Sequence, residues 1–320
     1  MKYILSVDGG GTKLNAILLD EHMNLVGKGT SGGINTTQTP PEDVLLHVQE
    51  CLDQVFAGGT PAKLDAVYAV FVGDILVLRR ELEKRVEVCS FHVYTEPSGA
   101  LLAGSVTDRG LVALSGTGSD MFYYSPEVQY MVGGKGPIAG DEGSGAWMGQ
   151  KVVQAVMHHC DGWGEPTQMT SMLMELWDCP NDPWKIVYTI GHSNAPYCKM
   201  ASLTRLLGRA AREGDAVALR IIREAGELLA EQMLSLIRRL DVTPIPTEIT
   251  LCGGAWKTHP AMLESFLKRL RQVHPQMTVS KPLFEHVCFG AVRWLMDHGV
   301  QRQEIIRLLS ERLPDYTNKQ

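Results

Sequence analysis

At the start of the chain the apolar positions come in short runs. Tyr3-Ile4-Leu5-Ser6-Val7, Leu14 to Leu19 and Leu25-Val26-Gly27 are separated by the glycine turn Asp8-Gly9-Gly10-Gly11-Thr12-Lys13 and by the polar turn Asp20-Glu21-His22. Runs this short, bounded by turn residues, predict a three-stranded meander over residues 2–28. After Pro40-Pro41 the spacing changes: Val44, Leu45, Val48, Leu52 and Val55 recur at helical intervals and stop at Gly58-Gly59, which predicts a helix. Residues 66–72 read as a buried strand, 75–86 as a charged helix, and Phe91 to Thr95 as a strand ending at Glu96. Strand and helix in alternation imply that the sheet is extended in parallel.

The scheme restarts at Gly110. Leu111-Val112-Ala113-Leu114 leads into Ser115-Gly116-Thr117-Gly118-Ser119, and Met121 to Tyr124 follows. From Glu142 a helical half begins, with helices expected over 146–160, 169–177, 203–213 and 216–240. Leu219, Ile222, Leu229, Met233 and Leu236 form one apolar face of the longest, which reads as core. The sheet resumes at 248–252, breaks at Gly253-Gly254 and continues at 277–279. These repeats place one domain at 1–106 and a larger one at 107–320, with the last helix allowed to pack back on the first. Residues 315–320 read as a frayed tail.

Composition narrows the classes. With 320 residues, 44% hydrophobic and 21% charged, the chain can form two cores. A net charge of −6 gives no footprint for nucleic acid or an anionic membrane. No run approaches the length of a membrane span, so a small-molecule partner and a cytoplasmic setting are expected. Seven scattered cysteines without a C-x-x-C pair point to reduced thiols. His158-His159-Cys160 looks metal-like, but neighbours on a helix point in different directions. His286, His298, Trp163, Trp177 and Trp184 read as structural or core residues.

The candidate chemistry sits in the two glycine turns. Glycine removes the Cβ that would hold a ligand away, so backbone N–H groups can close on phosphate oxygens. Neither turn is a P-loop or a Rossmann fingerprint. Asp8, at the end of a strand and just before the glycines, is placed to hold Mg²⁺ through water; a plain hairpin turn is the structural alternative. Asp141 and Glu142 stand where helix capping would also put carboxylates.

Taken in order over nearly the whole length, the segments resemble the acetate kinase, hexokinase, Hsp70 and actin superfamily, and within it the BadF/BadG-type ATPases that include N-acetylglucosamine kinase. Residues 8–13 resemble the first phosphate motif, 115–119 the second, and Cys252-Gly253-Gly254-Ala255 the adenosine motif. Gly133-Gly134 with Gly140-Asp141-Glu142-Gly143-Ser144, and Gly32-Gly33-Ile34-Asn35, resemble the sugar-holding segments. Phe289-Gly290-Ala291 resembles the family's glycine-alanine helix near the C-terminus.

The resemblance implies an α/β fold of two ribonuclease-H-like (actin-like ATPase) domains with a nucleotide cleft between them. ATP and Mg²⁺ would be used to phosphorylate an amino sugar (N-acetylglucosamine, glucosamine or N-acetylmuramic acid) at its 6-hydroxyl. It assigns ATP to Gly10, Gly11, Thr12, Lys13, Ser115, Gly116, Thr117, Gly118, Gly253, Gly254 and Ala255, and the sugar to Asn35, Glu96, Gly134, Lys135 and Asp141. A homodimer, common in the family, fits as well.

Two positions depart from the family pattern. Glu96, in Thr95-Glu96-Pro97, stands where an Asp usually serves as catalytic base. Its other reading is an acidic residue favoured at a helix N-terminus. Lys135 replaces the tryptophan of animal-type enzymes; a cation there could accept an acidic lactyl group, or it is a solvated surface lysine. Two alternatives to a kinase stay open: a binding regulator that kept the cleft but lost the base, and an activator ATPase of a radical dehydratase, which needs interface cysteines for an iron–sulfur cluster.

Overall fold

The computed structural model describes residues 1–36 and 39–318, which divide into two compact units. The first comprises 1–110, 124–126 and 280–320, the second 111–123 and 127–279.

The first unit opens with the expected meander: β1 (Tyr3–Gly9), β2 (Lys13–Asp20) and β3 (Leu25–Gly32), followed by α1 (Pro41–Val55). The two-residue strand β4 (Lys63–Leu64), β5 (Ala66–Phe71), α2 (Ile75–Glu83), two-residue β6 (Glu87–Val88), β7 (Phe91–Tyr94) and α3 (Glu96–Ser105) complete its N-terminal part. The main sheet has the order β3-β2-β1-β5-β7, antiparallel across the meander and parallel from β1 to β5 and β7. Strand period sorts the side chains into two cores. Leu5, Val7, Leu14, Ala16 and Leu18 pack on Val44, Val48, Leu52 and Val55 of α1, while Ile4, Ile17, Leu19, Tyr68 and Val70 face the other way.

That other face is closed by the C-terminal segment, which corrects the 107–320 boundary. From Ser280 the chain belongs to the first unit, because Phe284, Val287, Phe289, Val292, Leu295, Ile305 and Leu309 supply the apolar cover that the second face of β1 and β5 needs. The tail is also paired as far as it is described: Thr317 bridges Phe284, and Asn318 N–H donates to Leu283 O at 2.9 Å. Residues 319 and 320 lie outside the described residues.

The second unit repeats the plan. Strands β8 (Gly110–Ser115), β9 (Ser119–Tyr124) and β10 (Gln129–Gly133) precede the single turn α4 (Gly136–Ala139) and the helices α5 (Gly145–Cys160), α6 (Met169–Leu176), α7 (Pro183–Gly191), α8 (Pro196–Ser202), α9 (Thr204–Arg212) and α10 (Ala216–Arg239). Strand β11 (Glu248–Cys252), α11 (Pro260–Arg271) and β12 (Thr278–Ser280) close the sheet in the order β10-β9-β8-β11-β12, the topology of the first sheet. Its core joins Met148, Val152 and Val156 of α5 to Ile222, Leu229 and Met233 of α10 and Phe266 of α11. Trp163 and Trp184, expected as core, are 68% and 69% exposed; Trp163 lies against the His158 ring, centroids 3.7 Å apart. In the C-terminal segment, α12 (Phe289–Asp297) and α13 (Arg302–Arg312) return to the first unit. Among the described residues no helix is long and apolar enough to cross a membrane.

Candidate active site

The expected site residues fall into two groups, one in each unit. In the first, Gly10 N–H donates to Lys13 O at 2.9 Å and closes the β1–β2 hairpin. The loop after β3 folds onto it: Ile34 N–H donates to Gly10 O at 3.0 Å, and a Cβ on Gly33 would lie 2.2 Å from Gly11 O, so only glycine permits that approach. Asn35 is thereby carried beside the hairpin. The opposite face of the turn is open, since a Cβ on Gly10 would meet nothing nearer than Lys13 O at 3.8 Å. Thr12 and Lys13 are exposed at the hairpin, and Lys13 lines a recess of about 210 Å³ with Asn15, Thr30 and Tyr316.

Asp8, paired in register with Asn15 and Val70, points to the face closed by the C-terminal segment. There it meets a residue read from the sequence as structural. His286 Nδ1 lies 2.9 Å from Asp8 Oδ1, with the two side chains 18% and 16% exposed. A Glu96 carboxylate oxygen lies within 4.8 Å of a His286 ring nitrogen. Burial pushes the Glu96 carboxyl above the ordinary glutamate value, with His286 opposing and Asp8 adding to the rise. Burial would lower His286, but the Asp8 and Glu96 carboxylates overcome it and raise its pKa to about 9. Asp8, His286 and Glu96 therefore form one cluster, and His286 is the member that sequence reasoning missed.

In the second unit Ser115 and Ser119 bracket the other glycine turn and hold the strap before α5. Ser115 Oγ donates to Gly143 O and Ser119 Oγ to Glu142 O, both at 2.9 Å. The first amides of α5 are used by the turn itself, Gly145 N–H donating to Gly116 O at 2.8 Å and Ala146 N–H to Thr117 O at 3.1 Å. Gly253, at φ +95°, backs onto this turn so closely that a Cβ would sit 2.3 Å from Ser115 O. Gly254 and Gly116 have nothing within 4 Å of a Cβ position, which leaves two open glycine faces beside the buried Ala255.

Asp141, at φ +60° and 8% exposed, packs its carboxylate against Gly118. Burial raises its pKa, while backbone N–H groups of Ser119 and Gly136 pull it down. Asp120, absent from the expected set, packs on Gly134, where a Cβ would be 1.8 Å from Oδ1. Its signal was Gly118-Ser119-Asp120, a carboxylate directly after a glycine turn. Lys135 is exposed.

Two sheets of one topology, each opening on a glycine hairpin, are the architecture of actin-like ATPases and sugar kinases. The fold matches a ROK family glucokinase from Streptomyces griseus in complex with glucose and AMPPNP, with a TM-score of 0.58 and 15% identity over 91% of this chain and 98% of that one. It also matches a Porphyromonas gingivalis structure provisionally named N-acetylglucosamine kinase, with a TM-score of 0.73 and 17% identity over 94% and 100%.

The chain belongs to the BadF/BadG/BcrA/BcrD ATPase family, whose profile matches residues 5–287. It is 26% identical over 301 residues to the N-acetylmuramic acid/N-acetylglucosamine kinase of Clostridium acetobutylicum, covering 91% of this chain and 97% of that protein. It is 24% identical over 253 residues to the N-acetyl-D-glucosamine kinase of Dictyostelium discoideum, covering 74% and 79%.

Proposed function

We propose that the protein is an ATP-dependent amino-sugar kinase that phosphorylates the 6-hydroxyl of N-acetylglucosamine, glucosamine or N-acetylmuramic acid. The observation that carries this reading is the Asp8–His286–Glu96 cluster beside the open face of a glycine hairpin, in a chain of this family. The donor set suits a hard cation, because Asp8 offers carboxylate oxygen next to glycines that leave room for a phosphate. When bound, Mg²⁺ would neutralise charge developing on the β- and γ-phosphates.

The protein's own residues do the rest. In the first unit the Gly11 amide and the Thr12 hydroxyl are offered to phosphate oxygens beside the open face of Gly10; in the second unit the Gly118 amide and the Thr117 hydroxyl are offered beside the open face of Gly116, and the open face of Gly254, backed by Gly253 and Ala255, is offered to the adenosine. Asn35 in the first unit and Asp141 in the second are each suited to hydrogen-bond sugar hydroxyls. Glu96 accepts the hydroxyl proton as the oxygen attacks the γ-phosphorus, and its raised pKa brings its basicity closer to neutral pH. Lys135, exposed at the start of α4, would stand near a lactyl carboxylate of N-acetylmuramic acid. The seven cysteines form no disulfide, which suits a reducing cytosol.

Of the two cysteines that an iron–sulfur activator would call on, Cys252 ends β11 and is half-buried, while Cys288 is wholly enclosed and burial pushes its thiol up. The test is ADP release measured with each of the three amino sugars, glucose and no sugar. Release that depends on at least one amino sugar is expected. Release that is the same with and without every sugar overturns the reading.

A further inference from the structure

Nothing in the phosphoryl-transfer chemistry requires an imidazole, yet the fold holds one rigidly against Asp8. His286 begins a single turn of 3-10 helix, His286–Cys288, at the entry to α12. Its backbone is fixed on both sides. Glu285 N–H donates to Tyr316 O at 2.7 Å, and the Ser6 hydroxyl donates to Val287 O at 2.6 Å and accepts from Gly290 N–H at 3.1 Å. The ring is boxed as well. A Cβ on Gly99 would lie 2.8 Å from Nε2, the Phe289 ring centroid is 6.0 Å away, and Nε2 is buried without a hydrogen-bond partner among the described residues. Only Nδ1 makes a polar side-chain contact, and it makes it to Asp8.

We infer that His286 is a positioning residue of the phosphoryl-transfer site: its Nδ1–H, held by a fixed backbone and a boxed ring, fixes the Asp8 carboxylate through Oδ1 and leaves Oδ2 for the nucleotide's cation. The inference rests on the kinase reading above. A carboxylate on β1 has two side-chain torsions of its own; tied to a ring that cannot move, it is set before the nucleotide arrives. Glu96, at the start of α3, has a carboxylate oxygen within 4.8 Å of the same ring, so one imidazole faces both the metal-side and the proton-accepting carboxylate.

The experiment compares His286→Asn, His286→Gln and His286→Leu with wild type in sugar-dependent ADP release, and uses long-range ¹H–¹⁵N spectra of the ligand-free wild-type protein. Asn can place its amide nitrogen where Nδ1 stands; Gln reaches toward Nε2 and Leu donates nothing. The expected result is that Asn keeps kcat within about threefold of wild type, while Gln and Leu lose about 10²-fold in kcat with sugar KM little changed. The spectra should show a proton on Nδ1. Leu within about threefold of wild type, or Asn as impaired as Leu, overturns the inference. Should Leu fail to fold, Gln against Asn decides: Gln equal to Asn overturns it. Wild type inactive with every amino sugar would sink the kinase reading instead, and the inference would then be decided by the spectra, where a bare Nδ1 refutes it.

Discussion

The stitch between β1 and the C-terminal segment gives a quantitative test at Ser6. Its hydroxyl donates to Val287 O and accepts from Gly290 N–H, which is one of the first-turn amides of α12 that the helix itself cannot satisfy. Ser6→Ala removes both bonds at a position that is 0% exposed, so water has no route to replace the oxygen. Leaving the Gly290 donor unpaired costs about 1–3 kcal/mol and losing the bond to Val287 O about 0.5–1.5 kcal/mol, giving a total of roughly 2–4 kcal/mol. For a unit of roughly 150 residues each kcal/mol moves Tm by about 2–4 °C, so a fall of roughly 5–15 °C is expected. Scanning calorimetry on wild type and Ser6→Ala measures it in the transition that contains the first unit. Because Val287 neighbours His286, kcat should fall as well. A Tm within about 1 °C of wild type would show that the hydroxyl does not join these segments, and the positioning assigned to His286 would lose its anchor.

Gly253→Ala should destabilise the protein by about 1–3 kcal/mol through backbone strain at φ +95°, and it should weaken nucleotide binding because Ser115 O stands 2.3 Å from the new methyl group; an unchanged urea midpoint contradicts this. The acid limb of kcat should have its midpoint above the ordinary glutamate value of 4.5, since burial and Asp8 raise Glu96 against the pull of His286 and protonated Glu96 cannot take the proton; a midpoint at or below 4.5 in a pH–rate profile contradicts it. For stability the same shift acts in the opposite direction: the contribution of Glu96 is present below its unfolded pKa and is lost as pH rises through the folded one. Thiol titration with an aromatic disulfide should find Cys89 and Cys160 fast in the native protein, both being exposed, and Cys51, Cys179 and Cys288 slow, being buried.

What was legible in the sequence was local. The Tyr3–Val7 run ending in Asp8 and three glycines specifies a strand and a hairpin without help from distant residues, and so does the run before Ser115; both were found where expected. Helix α1 announced itself because Val44, Val48, Leu52 and Val55 are all buried on one face. Helices α7 and α8 did not. α7 buries only Ile186 and leaves Trp184, Val187 and Tyr188 in solvent, while α8 buries nothing, so neither shows an apolar stripe against a polar one. The return of residues 280–320 to the first unit had no local signature either, because it depends on contacts such as Ser6 to Val287, 281 residues apart. His286 reads as a structural residue in the sequence for the same reason. Its meaning lies in Asp8, 278 positions earlier, and no spacing along the chain connects the two. The half-site in the second unit was more legible, since Ser115 to Ser119 and Gly140 to Ser144 carry their own turn chemistry; the seat of Asp120 against Gly134 emerged only once β9 and the strap were placed side by side.

The central claim is that Glu96 takes the proton from the sugar hydroxyl, and the most direct measurement is kcat of Glu96→Gln at saturating MgATP and amino sugar. Gln keeps the length and a hydrogen-bonding tip but cannot accept a proton, so kcat should fall by about 10²–10⁴-fold while MgATP still raises the melting temperature of the variant. A Glu96→Gln enzyme that turns over within about threefold of wild type would place the base elsewhere and contradict the assignment.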